Sequence, residues 1–191
     1  MIQSVTHKII LASNSPRRRQ ILKDAGFDYT TKVKDTPEDF PADMPVKEIP
    51  LMLAKRKAHA FKNELQENEL IITADTVVVI DNKVLNKPAD QQEALSMLRM
   101  LSGRMHEVIT GVCLLSKEKE ISFSDLTQVY FLPLSEEDIE YYIENFKPFD
   151  KAGSYGIQEY IGYIGIEKIS GSYFNVMGLP IHRLVQELRK F

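Results

Sequence analysis

The feature that most constrains the fold is a long apolar run over residues 70–81, which is rich in Ile and Val. β-Branched residues favour strands, and Asp81 with Asn82 forms a turn-like pair at the end of the run. Two threonines and one aspartate interrupt the run, so it is too short and too polar to cross a bilayer. We predict that it forms a central strand of a sheet, and we expect no membrane-spanning segment.

Strand-like and helix-like segments alternate along the rest of the chain. Further strands are predicted at residues 8–13, 27–33, 105–115, 121–132 and 163–169. Helices are predicted at residues 16–25, 46–65, 88–101, 135–146 and 179–190. The charged segment between residues 115 and 121 predicts a hairpin, whereas helices separate most other strands. This mixture predicts an α/β fold on a mixed β-sheet flanked by helices.

The bulk composition narrows the possible classes of protein. The 191 residues fit one domain over 1–191, because no change in composition marks a linker. The net charge of -3 argues against a nucleic-acid partner, since duplex binding that ignores sequence needs a positive field. Cys113 is the single cysteine and has apolar neighbours, which predicts a buried hydrophobe. The N-terminal sequence MIQSVTHKIILAS is typical of a first strand rather than a signal peptide, so we expect a cytoplasmic protein.

Three consecutive arginines, Arg17, Arg18 and Arg19, follow Pro16 at the predicted start of a helix. The helix macrodipole repels cations at this end, so these residues oppose the helix that they begin. Amides at a helix N-terminus bind anions, and a bound polyphosphate would resolve the conflict. The polar residues 13–15 before the helix favour phosphate binding over the alternative, a solvated basic patch.

Asp75 lies inside the predicted central strand, although Asp disfavours strands. An unpaired buried carboxylate is costly, so we expect a compensating cation. Mg²⁺ is held by one or two carboxylates and by substrate phosphates, and the same carboxylate could orient or deprotonate an attacking water. The alternative is an aspartate that caps the end of the strand, which is less favoured because the apolar residues 77–80 continue it.

Several other polar residues carry weaker signals. Lys87 lies in a short loop from which its ammonium could reach a phosphate, although most such lysines are solvated. Arg104 and His106 share one face of a predicted strand and either reach the same site or stay on an open polar face, and a structural role is favoured for His106. The acidic loop over residues 35–45 either supplies metal ligands or is solvated, with solvation favoured; its acids are Asp35, Glu38, Asp39 and Asp43.

Six segments that together span nearly the whole chain resemble the Maf family. They are SNSPRRR at 13–19, TADTVV at 73–78, NKP at 86–88, LSGRMHEVITGV at 101–112, DKAGSYGIQ at 150–158 and GSYFNVMGLP at 171–180. The resemblance implies an elongated α/β fold related to the inosine triphosphatases. It also implies hydrolysis of a small-molecule nucleoside triphosphate to its monophosphate and pyrophosphate, and it suggests a homodimer.

The same resemblance implies roles for individual residues. Asp75 would be the proton acceptor and a contact of a divalent metal ion, Mg²⁺ or Mn²⁺. The residues implied in binding the triphosphate are Ser13, Arg17, Arg18, Lys57 and Lys87. The family often has a Glu near the position of Asp35, and Asn14 is a mild departure in the loop, so Asp35 stays open as a metal ligand.

Arg17, Thr76 and Gln158 match positions that the family links to substrate choice. The YGIQ segment that ends at Gln158 is similar to the branch acting on dTTP and UTP, and a primary amide complements the carbonyl and ring N–H of thymine or uracil. Neighbours in a regular strand face opposite sides, so Asp75 and Thr76 would share a site only at a bulge. Two alternatives stay open: a nucleotide-sensing regulator of septum formation without essential turnover, and an enzyme for 7-methyl-GTP or another purine or modified nucleotide.

Overall fold

The computed structural model describes residues 6–191. The part of the N-terminal prediction that concerns residues 1–5 lies outside the described residues. The strands are β1 (Lys8–Leu11), β2 (Tyr29–Thr31), β3 (Glu69–Ile80), β4 (Lys83–Leu85), β5 (Met105–Leu115), β6 (Glu120–Phe131) and β7 (Ile166–Ser170). The helices are α1 (Pro16–Asp24), α2 (Ile49–His59), α3 (Gln91–Leu101), α4 (Glu136–Phe146), α5 (Tyr160–Gly165), α6 (Tyr173–Val176) and α7 (Ile181–Leu188).

The strands form one mixed seven-stranded sheet in the order β2-β1-β3-β5-β6-β7, with β4 beside β3. Strand β1 pairs parallel with both β2 and β3, whereas β4 pairs antiparallel with β3 and β7 pairs antiparallel with β6. Strands β5 and β6 are sheet neighbours joined by residues 116–119, so the predicted hairpin is confirmed. The predicted α/β fold on a mixed sheet is likewise confirmed. Between residues 6 and 191 no helix combines the length and the apolar character that a membrane crossing requires.

The described chain divides into two compact units. The first unit comprises residues 6–75, 110–125 and 178–191, and the second unit comprises residues 76–109 and 126–177. The long strands β3, β5 and β6 each contribute to both units. The prediction of one domain over residues 1–191 stays a prediction.

The first unit packs helix α2 against strands β1, β3 and β5. Its buried cluster consists of Ile10, Ala12, Ala54, Ala58, Phe61, Leu65, Ile71, Cys113 and Leu115. A Cβ added to Gly111 of β5 would lie 2.3 Å from the backbone nitrogen of Leu51 and 2.4 Å from the carbonyl oxygen of Pro50. The start of α2 is therefore packed backbone to backbone on the strand. Cys113 is buried as predicted, and burial raises the pKa of its thiol to about 12.

The second unit has its core between strands and helices α3, α4 and α5. Fully buried members of this core include Leu98, Leu101, Val129, Tyr142 and Ile161. The order of elements here is less regular than the sequence pattern predicts, because two short helices, α5 and α6, fall in segments that were predicted as a strand or as loop.

The helix predicted over residues 46–65 is wrong at both ends, since α2 covers Ile49–His59. Pro50 has no backbone N–H and fits only the first turn of a helix, which fixes the start beside it. At the other end the Lys34 ammonium donates to the carbonyl of Ala60 at 2.7 Å, and residues 60–64 form turns instead of helix.

The strand predicted over residues 163–169 is wrong in its first half, because residues 160–165 form α5. The helical turn brings Gly162 against Ile157, where an added Cβ would lie 1.8 Å from the carbonyl oxygen. It also buries Ile161 in the core of the second unit, so tertiary packing overrides strand propensity. Strand β4 was not predicted, although its turn was. Asp81 and Asn82 have φ values of 50° and 58°, as in a two-residue type I′ hairpin turn.

Candidate active site

The loop before α1 is held by hydrogen bonds of its two serines. The hydroxyl of Ser15, the N-cap residue of α1, accepts from the backbone N–H of Arg18 at 3.4 Å, and Pro16 takes the first helical position as predicted. The Ser13 hydroxyl accepts from the backbone N–H of Ser15 at 3.2 Å. The segment therefore leaves β1 in a fixed bend and enters the helix with its arginines in the first turn.

Arg18 and Arg19 fold back onto this loop. The Arg19 guanidinium donates to the carbonyl of Ser13 through Nε and Nη2, each at 3.3 Å, and Arg18 Nη1 donates to the Ser13 hydroxyl at 3.4 Å. Ser13 is buried, and its hydroxyl proton can still be donated to a ligand. The two guanidinium groups thus hold the loop in one conformation before any anion binds.

Arg18 also ties the loop to the C-terminal segment of the first unit. Its Nε donates to the carbonyl of Gly178 at 2.7 Å. The pKa of the Arg18 guanidinium is lowered, mainly because the group is buried. The negative charges of Asp75 and Glu38 raise this pKa, and the positive charge of Arg17 lowers it further, but burial outweighs the acids. Because an arginine starts so far above neutrality, it stays charged. These influences place Arg18 within electrostatic reach of Asp75.

Asp75 lies in β3 with a side chain that is 14% exposed. Mg²⁺ was the cation expected to compensate its charge, and in the structure the ammonium of Lys57 does so. The Lys57 ammonium, from α2, donates to Asp75 Oδ1 at 2.6 Å. Two residues earlier in β3, the Thr73 hydroxyl donates to the carbonyl of Ala54 at 2.7 Å. Thr73 and Asp75 share a strand face, and Ala54 precedes Lys57 by about one helical turn, so the two contacts fix the register of helix on strand.

Glu38 is one of the four acids for which a solvated loop was favoured over a metal-binding role, and in the structure it joins the site. Its Oε1 accepts from the Lys57 ammonium at 2.7 Å, so one lysine bridges the carboxylates of Glu38 and Asp75. Arg56 fixes the loop that carries Glu38, since its Nη1 donates to the carbonyls of Pro37 at 2.8 Å and Asp39 at 2.7 Å. Asp35 is exposed, and from the acidic loop it is Glu38 that reaches the lysine. Nothing in the local sequence distinguished Glu38 from the other three acids of the loop, because its role depends on a contact with a distant helix.

The first unit thus gathers a compact group of opposite charges. Its cations are Arg17, Arg18 and Lys57, and its anions are Asp75 and Glu38. One positive charge is left in excess, which favours an anionic ligand. Of the predicted residues, Ser13, Arg17, Arg18, Lys57 and Asp75 all belong to this unit.

The same group suits a divalent metal ion in its ligand chemistry. Asp75 and Glu38 bind one ammonium, so both carboxylates are within reach of a single cation. Mg²⁺ needs only one or two carboxylates when phosphates and water complete its octahedron. Among residues 6–191 no group of three or more His, Cys, Asp or Glu residues is arranged to hold a metal ion.

The predicted residues Thr76, Lys87 and Gln158 belong to the second unit. Strand β3 is continuous through position 76, and Asp75 and Thr76 are the only two partly exposed residues between 70 and 80. Lys87 is exposed, and the carbonyl of the preceding Asn86 accepts from the backbone N–H of Gly153 at 3.2 Å. The Lys87 loop is therefore attached to the segment that leads to Gln158.

Gln158 is oriented by an acidic neighbour. Its Nε2 donates to Glu159 Oε1 at 3.5 Å, while its Oε1 is buried and has no hydrogen-bond partner within the described part of the chain. Glu159 in turn accepts from the Tyr142 hydroxyl, and its Oε1 lies 3.1 Å from the ammonium of the buried Lys151. A carboxylate only accepts, so the reversed amide would place two acceptors together and is disfavoured. The amide oxygen of Gln158 is consequently the atom left for another donor.

Two weaker candidates have structural partners in the second unit. Arg104 Nη2 donates to Asp81 at 2.6 Å, at the exposed turn after β3. The His106 ring is buried, with Nε2 2.7 Å from the Tyr155 hydroxyl and an edge-to-face contact with Phe131. Burial lowers the pKa of His106 to about 3, so the ring is neutral at physiological pH. These contacts agree with the structural role favoured for His106.

Comparison with known proteins matches a family model described as "Maf-like protein" to residues 8–191. A protein of Cytophaga hutchinsonii named "dTTP/UTP pyrophosphatase" is 56% identical over 182 residues, which cover 95% of this chain and 83% of that protein. A protein of Bacteroides fragilis with the same name is 50% identical over 185 residues, 96% of each chain. The solved structure of the Staphylococcus aureus Ham1 protein aligns with a TM-score of 0.55 at 15% identity, covering 96% of this chain and 98% of that one, which supports the fold alone.

Proposed function

Because the chain belongs to the Maf family, we propose that it is a nucleoside triphosphate pyrophosphatase that hydrolyses dTTP and UTP. The products are the nucleoside monophosphate and pyrophosphate. The names of the relatives from C. hutchinsonii and B. fragilis support this substrate choice. The single observation that carries the proposal is the carboxylate of Asp75, which sits inside a strand and within a group of three cations suited to a polyphosphate.

In the proposed reaction a water oxygen bonds to the α-phosphorus and the bond to the bridging oxygen of the β-phosphate breaks. Asp75 accepts a proton from the water, and pyrophosphate leaves with the electron pair of the broken bond. Because the carboxylate is held at 2.6 Å by Lys57, its orientation is fixed before substrate arrives. Arg17, Arg18 and Lys57 neutralise the phosphate charge, and the Ser13 hydroxyl donates to a phosphate oxygen.

A divalent metal ion, Mg²⁺ or Mn²⁺, is part of the proposal. Asp75 and Glu38 would hold it together with phosphate oxygens, and the bound ion would supply additional neutralisation of the phosphates. Lys87 is proposed as a further phosphate contact, as the family resemblance implies. Its exposure leaves the ammonium accessible to a ligand.

The preference for thymine and uracil is assigned to Gln158, with Arg17 and Thr76 as the other residues of substrate choice. The Gln158 Nε2 already faces Glu159, so the amide presents its oxygen as an acceptor. Thymine and uracil carry a ring N–H that can donate to this oxygen, whereas the matching ring nitrogen of cytosine is an acceptor. The proposal also includes a cytoplasmic location, expected from the N-terminal sequence, and a homodimer, suggested by the family resemblance. It includes no nucleic-acid partner, because of the net negative charge.

The proposal is tested with purified protein and a panel of triphosphates, in Mg²⁺ and then in Mn²⁺. The panel contains dTTP, UTP, CTP, GTP, ITP and 7-methyl-GTP, and anion-exchange chromatography resolves mono- and diphosphate products. We expect monophosphate plus pyrophosphate, with the highest kcat/KM for dTTP and UTP. Diphosphate products would refute the proposed bond, a preference for 7-methyl-GTP would refute the base assignment, and absence of turnover would favour a nucleotide sensor.

A further inference from the structure

Lys57 occupies the position in the first unit at which a cation meets both carboxylates. Its ammonium lies 2.6 Å from Asp75 Oδ1 and 2.7 Å from Glu38 Oε1. The side chains of Lys57 and Asp75 are 19% and 14% exposed, so their contact is largely shielded from water. An ammonium therefore satisfies the same carboxylate oxygens that would hold a metal ion.

A metal ion that bridges Asp75 Oδ1 and Glu38 Oε1 takes the position of the ammonium and has to displace it. The displaced Lys57 would then stand beside a divalent cation as well as Arg17 and Arg18, and this concentration of positive charge is unfavourable at short range. A triphosphate removes the conflict, because its oxygens accept from the lysine and its negative charges balance those of the metal ion. The site should therefore bind the metal ion together with a triphosphate more tightly than it binds the metal ion alone.

We propose that Lys57 keeps the divalent metal ion out of the nucleotide-free protein and releases Asp75 and Glu38 only when a triphosphate accepts its ammonium. The form of the substrate that the site takes is then the metal–triphosphate complex, and the protein holds no resident metal ion. This inference rests on the proposed function, because it gives Lys57 two successive sets of partners within that same site.

The experiment measures Mn²⁺ binding by electron paramagnetic resonance of the free ion, without turnover. The proteins are the wild type and Lys57→Met, with Lys55→Met as the matched control. Lys55 lies on the same helix and loses the same charge, but it pairs with Glu120 at 3.3 Å, outside the site. Each protein is titrated with Mn²⁺ alone and with Mn²⁺ plus a UTP analogue whose α,β-bridge cannot be hydrolysed.

For Mn²⁺ alone, we expect Lys57→Met to bind at least tenfold more tightly than the wild type, and Lys55→Met to match the wild type. In the wild type the analogue should create a tight Mn²⁺ site that is absent without it. Equal or weaker Mn²⁺ binding by Lys57→Met would overturn the inference. So would a wild-type protein that binds Mn²⁺ alone as tightly as in the presence of the analogue.

Lys57→Gln is the second variant, for the case in which Lys57→Met does not fold. Its amide can still donate to one carboxylate but carries no charge, and it should also bind Mn²⁺ more tightly than the wild type. The two proposals fail differently. Tighter Mn²⁺ binding by the variants with no pyrophosphate released by the wild type would reject the enzyme function alone, whereas turnover by the wild type with unchanged Mn²⁺ binding would reject the role of Lys57.

Discussion

Replacing Asp75 by asparagine tests the proposed chemistry most directly. Asparagine has nearly the same shape, but it carries no negative charge and accepts no proton from a water. The loss of a general base lowers a rate by about a hundredfold to ten-thousandfold, so kcat for dTTP is expected to fall by at least a hundredfold. The loss of a metal contact acts in the same direction.

The cost in stability should be much smaller. Lys57 keeps Glu38 as a partner at 2.7 Å, and the amide that replaces the carboxylate still offers an oxygen to the ammonium. Removing one partner of a fully buried ion pair lowers the free energy of unfolding by about 3–5 kcal/mol, because the other charge is left without a partner. Lys57 still has Glu38 as a partner in this variant, so a loss of about 1 kcal/mol is expected. An inactive variant with a near-normal melting curve therefore separates chemistry from folding.

The assay couples pyrophosphate release to an inorganic pyrophosphatase and measures phosphate, with far-UV circular dichroism to follow thermal unfolding. Asp39→Asn is the matched control. Asp39 is also ion-paired, to Arg56 at 2.9 Å, but its side chain is 81% exposed, and kcat of this variant should stay within about twofold of the wild type because exposed pairs contribute little. If Asp75→Asn kept more than a tenth of the wild-type kcat, Asp75 would not be the proton acceptor.

Three further predictions concern packing, pH and base choice. Gly111→Ala should cost about 3 kcal/mol or more in urea unfolding, since its Cβ would meet backbone at 2.3 Å, whereas Gly26→Ala, with open space but a φ of 80°, should cost about 1 kcal/mol. Burial lowers the pKa of His106 from 6.5 to about 3, so the unfolded chain takes up a proton that the folded chain does not. The free energy of unfolding contributed by the neutral ring above pH 6.5 should therefore be lost as pH falls toward 3, by up to about 1.4 kcal/mol per pH unit. His106→Gln should reduce this pH dependence in denaturant titrations. Glu159→Gln should lower the ratio of kcat/KM for UTP over CTP about tenfold, because a second amide no longer fixes which end of Gln158 faces the base; an unchanged ratio would reject this role.

Much of the fold follows from local pattern, and the exceptions have identifiable causes. The apolar run over 70–81 and the hairpin after β5 are specified by neighbouring residues, and both are confirmed. The strand predicted over residues 163–169 is wrong in its first half because Ile161 is buried in the core of the second unit, and this packing, together with the close approach of Gly162 to Ile157, favours a helical turn. Local propensity is a small free energy, and a close backbone contact outweighs it.

The residues of the candidate site also differ in how far local sequence reveals them. Asp75 and the arginines of α1 were accessible to sequence reasoning because each opposes its own local structure, a charge in a strand and cations at a helix start. Glu38 and Lys57 are both compatible with their local structure, since Glu38 lies in an acidic loop and Lys57 lies on a helix. Their significance comes from contacts across 19 and 18 residues of chain, between a loop, a helix and a strand. The need for a cation beside Asp75 was nevertheless predictable from its position in an apolar strand, and the ammonium of Lys57 meets that need. In the proposed exchange Lys57 gives up its contacts with the two carboxylates when a triphosphate accepts its ammonium. The order in which metal ion and nucleotide arrive then follows from the same charges that hold the site together.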